Sequence, residues 1–327
     1  MSITIKASLA MATLVAAASA IAALSERMAS TTAPLSPEAL AALYATPLPP
    51  PEGPLAVFHL GHSLVGRDMP RMLAAMAPVG HRYASQLGWG TTLQAHWRAD
   101  APIPGFETVD LHPLHEDVHG ALDSGDFDVL VLTEMVELRD AIRHFDSPRF
   151  LRAFAERALA GNPAIRVYLY ETWHRLDDPE GFLERIDRDL PRAWEGELLA
   201  RAQAGEPLPA PIRVVPAGQA IAAVVRAAED GGGIEGVAGR ADLFVDDIHP
   251  SPLGNWVVAL AHYATLYGSS PVDLPPSGAD ADGTPMPALT DAASRRIREI
   301  VWEVVSSYPK SGVATPGPLA ESRARTP

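Results

Sequence analysis

The chain has 327 residues, enough for one large domain or two small ones, and 47% of them are hydrophobic, which excludes an intrinsically disordered protein. The net charge of −14 argues against a general nucleic-acid binder, which needs a basic face. The absence of cysteine from the sequence excludes disulfides, a thiolate nucleophile and a Cys-ligated zinc site.

The first 24 residues differ from the rest of the chain. Lys6 precedes the apolar run "ASLAMATLVAAASAIAAL", and Ala18-Ser19-Ala20 matches the small-x-small pattern before a cleavage site. The pattern predicts a secretory signal peptide over 1–24 and hence an exported protein, periplasmic or secreted. A membrane anchor is an alternative because the apolar run approaches spanning length, and an Ala-rich cytoplasmic helix is another.

Residues 25–51 are rich in proline and predict a stiff spacer with one short helix starting at Ser36-Pro37. Five short apolar runs follow, at 56–60, 82–87, 127–133, 165–171 and 212–218. Helical stretches separate and follow them, at 67–78, 112–124, 148–160, 179–204, 219–229, 251–268 and 291–308. A domain over 52–308 is expected, followed by a disordered tail over 309–327.

The apolar runs lack polar alternation, which is typical of strands buried on both faces. Strands that alternate with helices imply right-handed crossovers and a parallel sheet. The sequence therefore predicts an α/β protein with three α/β/α layers and about five parallel strands. Ligands of such sheets bind outside the carboxyl ends of the strands, so the residues there are the candidates for chemistry.

Ser63 follows the first apolar run in "LAVFHLGHSLVG" and precedes a helix. Backbone N–H groups at such a turn can stabilise an oxyanion, and a serine there becomes a nucleophile when a base activates it. The alternative is that Ser63 only starts the helix.

A base is available in "FVDDIHPSPLGNW", where Asp246 and His249 are three residues apart. This spacing lets the carboxylate reach one ring nitrogen while the other faces outward, as in two members of a Ser-His-Asp triad. Asp247 is the alternative partner, although its side chain is expected to diverge from that of His249.

Together, "GHSL" after the first strand, "GWGTTLQAHW" after the second and Asp-x-x-His before a late helix resemble the SGNH (GDSL) hydrolase family. The resemblance implies a flavodoxin-like sheet and ester hydrolysis or acyl transfer. It implies Ser63 as nucleophile, Asp246 and His249 as its partners, and the N–H groups of Ser63 and Gly90 as oxyanion donors. His62 stands where the family has Asp.

One family block is missing. The third strand ends in "VLTEMVEL" without the Asn that donates to the oxyanion in the family, and Asn162 and Asn255, the only asparagines of the chain, lie elsewhere. Six residues near the strand ends are predicted to line the pocket: His62, Trp89, Thr133, Glu134, Trp173 and His174.

His112, His115 and His119 could share one helical face and bind zinc, or could simply form a solvated face. They precede the third strand, away from Ser63, so the solvated face is preferred and no metal or organic cofactor is expected.

The sequence thus predicts a serine ester hydrolase for a small acyl ester, acetyl for example, on a small molecule or a saccharide. An O-acyltransferase using Ser63, or a carbohydrate-binding relic that has lost catalysis, are the alternatives.

Overall fold

A five-stranded, all-parallel sheet forms the centre of the molecule, which we describe from a computed structural model over residues 33–98, 100, 102–105, 114–230, 232–275 and 278–314. The strands are β1 Ala56–His62, β2 Arg82–Gly88, β3 Val129–Leu132, β4 Arg166–Glu171 and β5 Arg213–Pro216. They lie in the order β2-β1-β3-β4-β5, the flavodoxin-like order, which reverses between β1 and β3. The predicted fold class is confirmed.

Helices cover both faces of this sheet. Their bounds are α1 Pro37–Ala42, α2 Asp68–Met76, α3 Leu93–Trp97, α4 Val118–Ser124, α5 Leu138–His144, α6 Ser147–Gly161, α7 Phe182–Asp189, α8 Ala200–Ala202, α9 Ala217–Glu229, α10 Arg240–Leu243, α11 Pro252–Tyr267 and α12 Asp291–Ser307. A π-helix, Leu190–Leu199, joins α7 to α8, and a 3₁₀ turn, Pro309–Ser311, follows α12.

The strand side chains alternate between two hydrophobic cores, as the pleat of a strand requires. In β3, Val129 and Val131 belong to the core that includes α2, α9, α11 and α12, whereas Leu130 and Leu132 belong to the core that includes α4, α6 and the π-helix. Because both faces are buried, the strands read in the sequence as continuous apolar runs.

The helix predicted over 112–124 is shorter in the structure. It begins only after Asp117, whose side chain accepts a hydrogen bond from the Gly120 N–H (2.8 Å). Residues 114–116 are extended instead and bond to the backbone of Ser85 in β2. Residues 106–113 lie outside the described part of the chain.

The predicted spacer over 25–51 is described from residue 33 onward, and this part packs on the domain. Ser36 caps α1 by accepting a hydrogen bond from the Ala39 N–H (3.2 Å). Tyr44 is buried, and its hydroxyl donates to the carbonyl of Ile212, just before β5 (2.6 Å). This part of the segment therefore contributes to the hydrophobic core.

The tail predicted from residue 309 is also ordered at its start. After the 3₁₀ turn, Val313 is buried and the Gly312 carbonyl accepts a hydrogen bond from the Leu48 N–H (2.8 Å). Residues 1–32, with the predicted signal segment, and 315–327 lie outside the described residues. No helix in the part described here has the length and apolar character needed to cross a bilayer.

Candidate active site

Ser63 is the first residue after β1, at the point where the strand order reverses. The N–H groups of residues 65 and 66 both donate to the His62 carbonyl, closing a tight turn in which Gly66 has a φ of 56°. Gly61 is required by packing, because a Cβ there would lie 2.7 Å from the side chain of Thr133, the residue after β3. The turn holds Ser63 half-buried at the carboxyl edge of the sheet.

His249 belongs to a loop that is closed on itself. The Val245 N–H donates to the His249 carbonyl (2.9 Å), and one oxygen of Asp246 accepts hydrogen bonds from the N–H groups of Ile248 (2.8 Å) and His249 (2.6 Å). These backbone bonds lower the pKa of Asp246 to about 2, so the carboxylate is ionised at neutral pH.

The second oxygen of Asp246 lies 2.7 Å from His249 Nδ1, and His249 Nε2 lies 3.0 Å from Ser63 Oγ. With Asp246 ionised, the proton belongs on Nδ1, which leaves Nε2 free to accept the Ser63 hydroxyl hydrogen. The structure thus brings together three residues that the sequence singled out. They are joined in the order that activation of a serine requires.

The neighbouring Asp247 is turned away from the imidazole. Its carboxylate pairs with Arg175, and its backbone carbonyl accepts a hydrogen bond from the Leu176 N–H (2.7 Å). Trp173 also holds this loop, because its indole N–H donates to the carbonyl of Ile248 (2.8 Å). The residues after β4 therefore fix the position of the His249 loop.

Ser63 and His249 open on a cavity of ≈ 680 Å³. Of the six residues predicted to line a pocket, Trp89 and His174 line this cavity, and Gly90, predicted as an oxyanion donor, lines it too. Trp89 is 56% exposed, whereas His174 is only 2% exposed. Burial, followed by the charge of Arg185, lowers the pKa of His174 to about 4 and keeps its imidazole neutral.

Gly90 has a φ of 52°, a conformation that favours glycine. The loop that carries it is anchored by the Trp89 N–H, which donates to the Pro104 carbonyl (2.6 Å). A Cβ at Gly90 would meet no protein atom within 4 Å, so its surroundings are open toward the cavity. The structure places this backbone on the same cavity as Ser63.

Glu134 and Thr133 do not line the cavity, contrary to the prediction. Glu134 is fully buried, and its carboxylate accepts hydrogen bonds from the N–H groups of Leu93 (3.2 Å), at the start of α3, and Met135 (2.8 Å). Burial raises its pKa to about 7. The Thr133 hydroxyl donates to the Tyr170 carbonyl (2.8 Å) inside the sheet. Neither side chain can donate to an oxyanion at Ser63.

His62 and Trp173 are likewise buried rather than exposed to the cavity. The Nδ1 atom of His62 accepts from the Leu64 N–H (3.3 Å), and Nε2 lies 2.9 Å from the Glu134 carbonyl, to which it donates. Burial lowers the pKa of His62 to about 4, so it remains neutral. Both residues support the turns that carry Ser63 and His249.

Two other histidines in the described part of the chain, His96 and His119, bond to backbone carbonyls. His96 contacts the Gln86 side chain through Nδ1 (3.0 Å) and donates from Nε2 to the Gly61 carbonyl (2.8 Å). His119 donates to the Trp97 carbonyl (2.8 Å), and His115 lies in the extended segment beside β2 rather than on its helix. His112 lies outside the described residues. Within the described ranges, no cluster of three or more His, Asp or Glu could hold a metal ion.

Sequence reasoning missed five residues of the cavity wall: Val136, Glu137, Arg175, Asp178 and Ile248. Four of them could have been found by extending the strand-end rule further along the chain, because residues 136 and 137 follow β3 and residues 175 and 178 follow β4. Ile248 directly precedes His249 and could have been found from that position.

No protein-family model matches this chain, and no curated protein matches its sequence significantly. Among solved structures, it is similar to a carbohydrate esterase of family 3 from Talaromyces cellulolyticus (11% identity, TM-score 0.39, 65% of this chain and 96% of that one). It is also similar to a protein described as a GDSL-like lipase from Parabacteroides merdae (15% identity, TM-score 0.41, 66% and 96%).

Proposed function

We propose that this protein is a serine ester hydrolase with Ser63 as nucleophile. One observation carries the proposal: Asp246, His249 and Ser63 are linked by contacts of 2.7 Å and 3.0 Å at the edge of a cavity. A serine hydroxyl in contact with an oriented imidazole is the arrangement that activates the oxygen for attack on a carbonyl.

In the first step, Ser63 Oγ attacks the ester carbonyl carbon while its proton passes to His249 Nε2. Asp246 stabilises the imidazolium through Nδ1. The tetrahedral intermediate then collapses, the C–O bond to the alcohol breaks, and His249 returns the proton to the leaving oxygen. Water attacks the acyl-serine with the same proton transfers and releases the acid.

The negative charge on the carbonyl oxygen requires donors. We assign this role to the backbone N–H groups of Ser63 and Gly90, since both residues face the cavity. The side chains at the end of β3 are buried and supply no third donor. This proposed oxyanion hole therefore relies on backbone groups alone.

The substrate that we propose is a small acyl ester, for example an acetyl group on a saccharide. The cavity of ≈ 680 Å³ exceeds what an acetyl group fills, so it also has room for part of the alcohol. The exposed Trp89 offers an aromatic face against which a sugar ring can pack.

We also propose that the protein is exported, on the pattern of Lys6, the apolar run and Ala18-Ser19-Ala20. N-terminal sequencing of the mature protein is expected to find a start near Ile21. An intact Met1 on cytoplasmic protein would overturn this part of the proposal.

A fluorophosphonate that labels activated serines tests the proposed function. We expect mass spectrometry of the labelled chain to find the adduct on Ser63, and Ser63→Ala to abolish both labelling and hydrolysis of 4-nitrophenyl acetate. Ser307→Ala, at an exposed position on α12, is the matched control and should behave like the parent. A folded parent chain that is neither labelled nor active would refute the proposal. Product analysis with an added acceptor sugar separates hydrolysis from acyl transfer.

A further inference from the structure

A second cavity, of ≈ 540 Å³, lies between α5 and the π-helix and is lined by four arginines. They are Arg139 and Arg143 of α5, Arg188 of α7 and Arg192 of the π-helix. We call this cavity the arginine cleft. Three carboxylates, those of Glu180, Asp189 and Glu197, line the same cavity, so its four guanidinium groups leave a small excess of positive charge in a chain with a net charge of −14.

Two of these arginines are already paired with the carboxylates of the cleft wall. Arg139 contacts Glu180 (2.6 Å) and Asp189 (3.0 Å), and Arg188 contacts Glu180 (2.9 Å). These pairs hold the two guanidinium groups in place and neutralise much of their charge.

The other two arginines, Arg143 and Arg192, have no carboxylate within ion-pair distance in the described ranges of the chain. Both are exposed. The third carboxylate of the cleft, Glu197, pairs with Arg201 instead (2.7 Å). The cleft therefore presents two guanidinium groups from opposite walls whose hydrogen-bond donors are available to a ligand.

The arginine cleft and the cavity of Ser63 are separated by two side chains that are in contact, those of His174 and Asp189. His174 lines the Ser63 cavity, and its Nε2 lies 3.3 Å from Asp189, which lines the cleft. Glu137 of the Ser63 cavity directly precedes α5, which carries Arg143 on the cleft side. From residue 137 to residue 143 an α-helix rises about 9 Å, so a chain of a few sugar residues is long enough to span the distance between these two lining residues.

We infer that the arginine cleft binds an anionic group, a carboxylate or a sulfate, on the same saccharide chain that presents its ester to Ser63. The inference rests on the proposed hydrolase function for the position of the ester. A planar guanidinium matches the two oxygens of a carboxylate, and donors on two walls can hold such a group at a fixed distance from the ester.

The wall supplied by the π-helix supports a binding role. Such helices are rare beyond a single turn and occur frequently at functional sites. Here the π-helix spans Leu190–Leu199 and places Arg192 and Glu197 on the cleft. Because Glu197 is held by Arg201, this wall contributes positive charge from Arg192.

Calorimetric titration of the full chain with trigalacturonate, and with uncharged galactotriose as the matched probe, tests the inference. We expect trigalacturonate to bind roughly tenfold more tightly or better, the scale of charge-assisted hydrogen bonds, and this preference to shrink as salt is added. It should disappear in the double variant Arg143→Gln/Arg192→Gln and persist in Arg295→Gln, an exposed arginine outside both cavities. Melting temperatures check that the variants are folded.

Equal affinity for the two trisaccharides, or a double variant that keeps the preference, would overturn the inference. Displacement of trigalacturonate by inorganic sulfate at equal concentration would also overturn it, because the cleft would then be a site for free anions. Competitive inhibition of 4-nitrophenyl acetate hydrolysis by trigalacturonate would support a single substrate site. A parent chain that binds trigalacturonate selectively but hydrolyses no ester would refute the proposed function and leave the anion site standing.

Discussion

His62 Nε2 lies 2.9 Å from the backbone oxygen of Glu134, and this contact ties the end of β1 to the end of β3. The same imidazole accepts a hydrogen bond from the Leu64 N–H on the far side of Ser63 (3.3 Å). A neutral imidazole can serve both partners, since it has one donor and one acceptor. The buried His62 side chain thus holds the turn of Ser63 in place through two hydrogen bonds.

Replacing His62 by Ala should therefore affect both stability and activity. It leaves the buried Leu64 N–H without this acceptor and the Glu134 carbonyl with only a long hydrogen bond from the Thr133 hydroxyl (3.4 Å), and we expect the free energy of unfolding to fall by about 2–3 kcal/mol. Because the turn loosens around Ser63, kcat on 4-nitrophenyl acetate should fall in chains that are still folded at the assay temperature. Urea denaturation and initial rates measure the two effects. An unchanged kcat would show that the hydrogen bonds of His62 are not needed for catalysis.

The linked side chains at the carboxyl edge predict a pattern of non-additive losses. Ser63→Ala and His249→Ala should each abolish turnover, and the double variant should lose no more than the larger single loss, because the residues act as a unit. The measurement is kcat/KM on one activated ester. Losses that multiply in the double variant would contradict the proposed mechanism.

Asp246 and Asp247 provide a matched pair of carboxylates. Asp246→Asn should lower kcat by ~10²–10⁴, because the amide no longer fixes the tautomer of His249. Asp247→Asn removes only the pairing with Arg175, and we expect less than about a tenfold loss. Equal losses in the two variants would argue against the assigned role of Asp246.

Gly90→Ala is expected to lower kcat by at least ~10², the scale of one lost oxyanion donor, because the added Cβ would crowd the acyl group and shift the left-handed turn that holds the N–H. The new Cβ meets no atom within 4 Å, so its stability cost should be limited to about 1 kcal/mol from the left-handed backbone at φ 52°. Thermal melts and kcat on the same preparation separate the two effects. A fully active Gly90→Ala protein would place the oxyanion hole elsewhere.

Buried histidines predict a loss of stability in acid. Burial lowers the pKa of His62, His96 and His262 to about 4, whereas in the unfolded chain a histidine titrates near 6.5. Between pH 6.5 and pH 4 these histidines are protonated in the unfolded chain and neutral in the folded chain. The free energy of unfolding should therefore fall as pH falls from 6.5 to 4, by about 1 kcal/mol per pH unit for each histidine.

His262→Phe tests this dependence, because the phenyl ring can keep the edge contact with Tyr170 and does not titrate. The slope of unfolding free energy between pH 6.5 and 4 should become shallower than in the parent, while Ser307→Ala, at an exposed position without a titrating group, leaves it unchanged. Burial raises the pKa of Glu134 to about 7 and of Glu171 to about 8, which acts in the opposite direction. Comparison with the parent cancels that contribution.

The fold could be predicted from the sequence, because the strands are buried on both faces and appear in the sequence as uninterrupted apolar runs. The contact between Asp246 and His249 was accessible as well, since three residues of spacing within a loop bring the two side chains together. These inferences depend on local pattern and on the rule that parallel strands share a carboxyl edge.

The orientation of the side chains at the strand ends could not be predicted from the sequence. Glu134 and Trp173 follow strands whose carboxyl ends face the cavity. The Glu134 side chain nevertheless bonds to the N-terminus of α3, and the Trp173 side chain bonds to the loop of His249. Their partners lie far away in the chain, and α3 gave no signal of its own. Burial and hydrogen bonding in three dimensions decide such orientations, and a strand-end rule does not contain them.

Ser63 and His249 are separated by 186 residues. During synthesis the strand that carries Ser63 leaves the ribosome early, whereas the loop that carries His249 comes only after β5. A nascent chain that has already folded its first strands thus holds a serine with no imidazole beside it. The proposed reactivity toward esters would therefore arise late in synthesis, when nearly the whole domain has been made.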